Sequence, residues 1–201
     1  DMVSRGLGDV YKRQGLHASQ WMNSFSNAVA AVALYGEGSS ECYDQSPDGN
    51  ACNEAWALNE YGRLYNWYAV DDARGLCPSG WHVPTDGEWM TMEMALGMSE
   101  AEANSMGYRG SAGTQMKTDY GWRETADIDG NGTNSSGFAG LPSGGRYGNG
   151  WFGGAGSTGA WWTSSPTGYG AYFRVLSHTN GAIGRQEQTP RTGWSVRCIK
   201  D

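Results

Sequence analysis

Long aliphatic stripes are missing from this 201-residue chain, and only 17% of its residues are charged. Without Leu, Ile and Val at helical spacing, a helical bundle is excluded. Lysine is nearly absent, with three residues against a formal net charge of −7. A nucleic-acid groove is therefore excluded, since it needs a basic surface to displace counterions. The longest apolar run, AVAAVAL at 28–34, is too short to cross a bilayer, so no transmembrane segment is expected. GxSxG, HExxH and GxxxxGK[ST] are also absent, and no catalytic residue is assigned.

What the chain has in quantity is glycine (32), tryptophan (10) and tyrosine (11). Glycine suits tight turns and close backbone approach, while Trp and Tyr bury large areas. That mixture fits small sheets joined by long ordered loops. The four cysteines, Cys42, Cys52, Cys77 and Cys198, show neither CxxC nor zinc spacing. Disulfides in an oxidising compartment are preferred over four buried thiols.

Residues 1–14, DMVSRGLGDVYKRQ, look unlike the remainder of the chain and resemble translated adapter sequence that fronts metagenomic reading frames. They are set aside as non-native, and the true N-terminus with any export signal is expected to be missing. Residues 15–39 read as an N-terminal extension or a truncated domain start, with a short helix over 19–36. Cys42 and Cys52 flank a polar PDGN turn that a disulfide closes naturally. Tyr61, Leu64, Tyr65 and Tyr68 predict a helix over 59–75. Thr85 with Glu88, then Trp89, Met92 and Leu96, predict a capped helix ending at Gly97, and SEAE (99–102) opens a third.

Beyond residue 107 helical periodicity stops. Strands are predicted at 137–142, 150–154, 160–165, 171–176, 182–186 and 194–200. In the last, Trp194, Val196 and Cys198 alternate on one face, so Cys198 points to the core and Cys77 is left as its partner. Helices first and an antiparallel sheet second define an α+β fold of two to three helices on a loop-rich sheet, stapled by disulfides.

YGRLYNWYAV, GLCPSGWHVPTDGEW, NSSGFAGLPSGGR, AWWTSS and SVRCIKD, in this order, resemble the Fibrobacter succinogenes major paralogous domain family over residues 40–201. The CYD…C element fits too, with NEAWALN as an insertion and QWMN as a remnant of an N-terminal QxWMAENL element. The resemblance implies secreted or surface-anchored bacterial proteins, often lipoproteins. It also implies a C-type-lectin-like fold, similar to formylglycine-generating enzymes and to the variable proteins of diversity-generating retroelements. PTDGEW and GWSVRC match scaffold motifs of that fold, in support of a Cys77–Cys198 staple. The late paired cysteines that bind copper in those enzymes have no counterpart here, so no enzyme is expected.

Two candidate sites remain. DIDGNGTN places Asp127, Asp129 and Asn131 at the alternate positions of a calcium loop, but Phe138 stands where the closing Glu belongs. A plain turn is the favoured reading, and no other cofactor is expected. The second site is the 144–193 region, with Tyr147, Trp151, Trp161, Tyr169, Tyr172, Arg174, His178, Asn180, Arg185, Gln186, Gln188 and Arg191. Aromatics among polar side chains suit a surface glycan or protein ligand. The competing reading puts most of these rings in the core, with one of Trp161 and Trp162 facing in and one out. The expected function is a non-catalytic adhesion or binding module at the cell surface. The alternatives are an envelope assembly module and a degenerate relative of the formylglycine-generating enzymes.

Overall fold

A computed structural model describes residues 2–3, 16–26, 28–38 and 42–201. Apart from Met2 and Val3, the suspected non-native segment 1–14 lies outside the described residues, as do residues 15, 27 and 39 of the 15–39 extension.

In chain order the elements are β1 (Met2–Val3), α1 (Ala18–Ser26), β2 (Val32–Ala33), β3 (Cys42–Asp44), α2 (Glu54–Glu60), β4 (Leu64–Tyr65), α3 (Trp67–Val70), β5 (Trp81–His82) and α4 (Asp86–Ala95). Then come α5 (Glu100–Asn104), β6 (Gly107–Arg109), α6 (Ala112–Met116), β7 (Ser143–Arg146), β8 (Phe152–Ala155), β9 (Thr158–Pro166), β10 (Ala171–Ser177), β11 (Asn180–Gln188) and β12 (Cys198–Lys200). The architecture is α+β, with helices mostly short and mostly ahead of the main sheet.

That sheet is antiparallel, in the order β6–β11–β10–β9. A second sheet, β3–β8–β7, contains one parallel pair, so the strands are not all antiparallel as expected. A third, β1–β12–β5, joins the last strand to the stretch just ahead of α4 and to Met2–Val3. There the Cys77–Cys198 disulfide forms, with Cα atoms 5.8 Å apart and Cys198 fully buried. Cys42–Cys52 closes the short loop, so both expected bridges are present.

Both capping boxes form. Thr85 and Glu88 satisfy each other's backbone amides at the start of α4, and Ser99 and Glu102 do so at α5. The helix expected over 59–75 does not form. Helix α2 ends at Glu60 with Tyr61 as its cap, and Gly62 stops it: its φ of +76° is one an L side chain adopts only with strain, and its N–H donates to Ala57 O. The chain then extends as β4, pairing with β2 and bonding to Trp194, before Asn66 caps the single turn α3. Helix α1 is likewise shorter than 19–36, because Val32 and Ala33 pair with β4 instead. The strand expected at 137–142 is a loop bridged once to Lys117, and the strand β7 comes directly after it. Helices α2 and α6 are additional to those expected.

Trp161 and Trp162 point to opposite faces of β9, yet both are buried, at 2% and 0% exposure. Trp161 joins Trp89, Met116 and Phe138 on the α4 side; Trp162 joins Trp67, Phe173 and Trp194 on the other. The expectation of one ring in and one out fails because the sheet is covered on both faces. Gly145 shows how tight this packing is. A Cβ there would lie 2.0 Å from the Trp194 ring.

Candidate functional site

Ten of the twelve candidate residues of 144–193 divide into an interior set, a far-end set and a groove, with Trp151 and Gln186 outside all three. Arg174 and Arg185 are cross-strand partners on β10 and β11, on the face that packs under α4. Arg174 Nη1 donates to Asp86 Oδ1 at 2.7 Å and its Nε to Glu93 Oε1 at 2.5 Å; Arg185 Nη2 donates to Asp86 Oδ2 at 2.6 Å. Arg109 Nη2 completes the cluster on Glu93 Oε2 at 2.6 Å. Burial alone raises the Asp86 pKa, but hydrogen bonds from Arg185 and Arg174 hold it below the usual carboxylate range. Arg174, Arg185 and Trp161 are therefore interior residues rather than surface contacts. Arg185 also stacks on half-buried Tyr172, its guanidinium 4.5 Å from the ring centre.

His178 and Asn180 sit at the β10–β11 turn. His178 N donates to Ser157 O, and Asn180 Oδ1 accepts from Ala182 N at 2.9 Å. The opposite end of the same hairpin, where the remaining candidates gather, is about 20 Å away at strand rise. Gln186, half-buried two residues before Gln188, is not in the lining of the groove found there.

Tyr147, Tyr169, Gln188 and Arg191 do come together. With Met22 of α1, Asn149, Thr189 and Thr192 they line a groove of about 380 Å³. Three connections build it. The β7–β8 turn presents Tyr147 at 40% exposure; its N–H bonds to Trp151 O, and its ring is held edge-on to Trp194 at 5.9 Å. The β9–β10 turn presents Tyr169 at 63%, fixed by Thr167 Oγ1 accepting from the N–H groups of Tyr169 and Gly170. The segment after β11 supplies Gln188, whose Oε1 accepts from Thr189 N, and Arg191. The Arg191 side chain lies against Gly148, where a Cβ would come 2.6 Å from Nε. Trp151, 52% exposed, stands on the same turn as Tyr147 but outside the groove lining.

Met22, Asn149, Thr189 and Thr192 are not among the sequence-based candidates. Asn149 and Thr189 carry a legible turn signal; Met22 arrives from a distant helix.

Two of the DIDGNGTN side-chain oxygens accept backbone N–H groups nearby. Asp129 Oδ1 accepts from Asn131 N at 3.0 Å, and Asn131 Oδ1 from Trp122 N at 3.1 Å. The Lys117 ammonium donates to Gly130 O at 2.7 Å, placing a cation of the protein's own beside the loop. Asp127 is exposed. Among the described residues no three His, Cys, Asp or Glu side chains are grouped to hold a metal ion.

His82 is held between two carboxylates, Nδ1 at 2.6 Å from Asp201 Oδ1 and Nε2 at 2.8 Å from Glu88 Oε1. It therefore ties the last residue to the cap of α4. Among the described residues no helix is long and apolar enough to cross a membrane.

The fold and groove define a disulfide-stapled α+β domain that offers a rim of aromatic turns. The model of the Fibrobacter succinogenes major domain family matches residues 16–200, and the chain belongs to that family. No curated protein and no solved structure matches it.

Proposed function

We propose that this domain is a non-catalytic binding module displayed outside a bacterial cell, on a C-type-lectin-like scaffold, and that it holds a surface glycan in the groove between Tyr147 and Tyr169. One observation carries the reading: two tyrosines from separate turns stand exposed beside Asn149, Gln188 and Arg191 around a single groove. Flat rings take the C–H faces of a sugar, and amide and guanidinium groups take its hydroxyls. Both turns spring from paired strands, so the rings are positioned before ligand arrives, which lowers the ordering cost of binding. The two disulfides suit an oxidising, extracellular setting. The order of helices, sheet and stapled last strand supports the lectin-like reading of the scaffold.

The test is a glycan array probed with the oxidised protein and with its Tyr169→Ala variant, alongside light scattering after size exclusion. Glycan hits lost in the variant support the reading. Self-association without hits points to envelope assembly instead.

A further inference from the structure

A second cavity, of about 220 Å³, lies away from the tyrosine groove and is lined by Arg197, Glu60, Tyr61, Tyr120, Ser143 and Ser195 among others. Arg197 sets it apart. Arg109, Arg174 and Arg185 are neutralised by Glu93 and Asp86. Arg146 is sealed in, donating to the carbonyls of Leu16 and Gly150 between the rings of Trp21 and Phe152. Arg197 resembles Arg146 in having a carbonyl and a ring for company, but it has one carbonyl rather than two and it borders the cavity. Its Nη2 donates to Ala139 O at 2.8 Å, its guanidinium lies 4.3 Å from the Phe138 ring centre, and its Nε is shut off from solvent without a partner. Among the described residues no carboxylate comes within ion-pair distance of it. Burial pushes its pKa down to about 10, which still leaves it charged at neutral pH.

A cation held this way against an aromatic ring, with donors to spare and a cavity beside it, fits an incoming carboxylate by charge-assisted hydrogen bonds. Ser143 and Ser195, whose hydroxyls are 3.0 Å apart, add a proton that either oxygen can give. Glu60 is the one carboxylate in the lining, and it makes no ion pair with Arg197. We propose that this cavity binds a small zwitterion of the amino-acid class, its carboxylate on Arg197 and its ammonium on Glu60. The volume suits a small amino acid and excludes a glycan or folded partner.

The test uses oxidised protein labelled with [15N]arginine, tracking the Arg197 Nε–H signal while glycine, acetate, methylammonium chloride or sodium chloride is added. The expected result is a saturable shift with glycine and acetate and none with the two chlorides. Glycine binds tighter than acetate by roughly threefold to fivefold, the worth of one partly exposed ion pair. Glu60→Gln brings glycine down to the acetate level without altering the acetate curve. No shift up to about 50 mM glycine, well beyond a millimolar Kd, would overturn the proposal. So would equal response to sodium chloride, or a glycine preference that survives Glu60→Gln. Because the readout is taken on the wild-type chain, it does not depend on an Arg197 variant folding.

Discussion

Arg174 of β10 and Asp86 of α4 form an ion pair at 2.7 Å, 88 positions apart in sequence, with the Arg174 side chain wholly removed from solvent. The pair belongs to a cluster of three arginines on two carboxylates that clamps α4 to the main sheet. Asp86→Asn leaves two guanidinium groups short of charge in the interior and is expected to destabilise the fold by about 3–5 kcal/mol. Denaturant titration measures it. The acid limit comes from the same carboxyl. Its folded pKa lies below the ordinary 3.8, so its contribution is complete above that value and is lost as pH falls further. The wild-type minus Asp86→Asn difference should therefore shrink below about pH 4.

His82 acts in the opposite direction. Its pKa is raised above 6.5, first by the hydrogen bond to Asp201 and then by the one to Glu88. A raised pKa contributes fully below pH 6.5 and is lost as pH climbs through the folded value. Melting temperatures of wild type and His82→Asn should differ most near about pH 6 and converge near about pH 9. The effect is small because all three side chains are well exposed.

The two disulfides should differ in worth. Closing a 121-residue separation removes about 5 kcal/mol of unfolded-state entropy in the chain model, and a 10-residue separation about 3. Replacing Cys77 and Cys198 together by Ala should thus lower stability more than replacing Cys42 and Cys52, in parallel denaturant curves. Equal losses would show that native packing around β12 outweighs loop length.

Much of the frame is legible because its signals are local. Thr85 and Glu88 are three residues apart. The strand expected at 194–200 is strand only over Cys198–Lys200, and Ser195 is buried along with Trp194, Val196 and Cys198, so alternation places Cys198 correctly but not Ser195. The tyrosine spacing that predicts a helix over 59–75 takes no account of the backbone demand at Gly62. Arg174 and Arg185 read as surface donors because their carboxylates come from α4. A cue is present in Asp86 and Glu93, seven residues apart and so on one face of a helix whose intervening Trp89 is core. An acidic pair on a buried stripe requires buried cations. The burial of Trp161 is not legible, since strand alternation says nothing of whether the second face is covered. Nor is the site fully so. Tyr147, Tyr169, Gln188 and Arg191 are candidates from sequence that do line the groove, but the groove also needs Met22 from a helix far earlier in the chain.

Tyr169→Ala and Tyr147→Ala should differ in what they cost. Tyr169 is exposed on its turn, so its loss should leave melting unchanged within about a degree, consistent with a surface substitution worth less than about 0.5 kcal/mol. Tyr147 packs on Trp194, and its loss should lower stability by about 1 kcal/mol as well as weaken binding. Calorimetric melting separates the two.

The most direct measurement is calorimetric titration of the best array glycan into oxidised wild-type protein and into Tyr169→Ala, with the melting temperature of each recorded first. Binding weakened by about tenfold or more at unchanged melting temperature is the predicted result, in keeping with an aromatic contact of about 1–2 kcal/mol. Equal affinity in the two proteins, or no glycan heat in either, would contradict a binding site between Tyr147 and Tyr169.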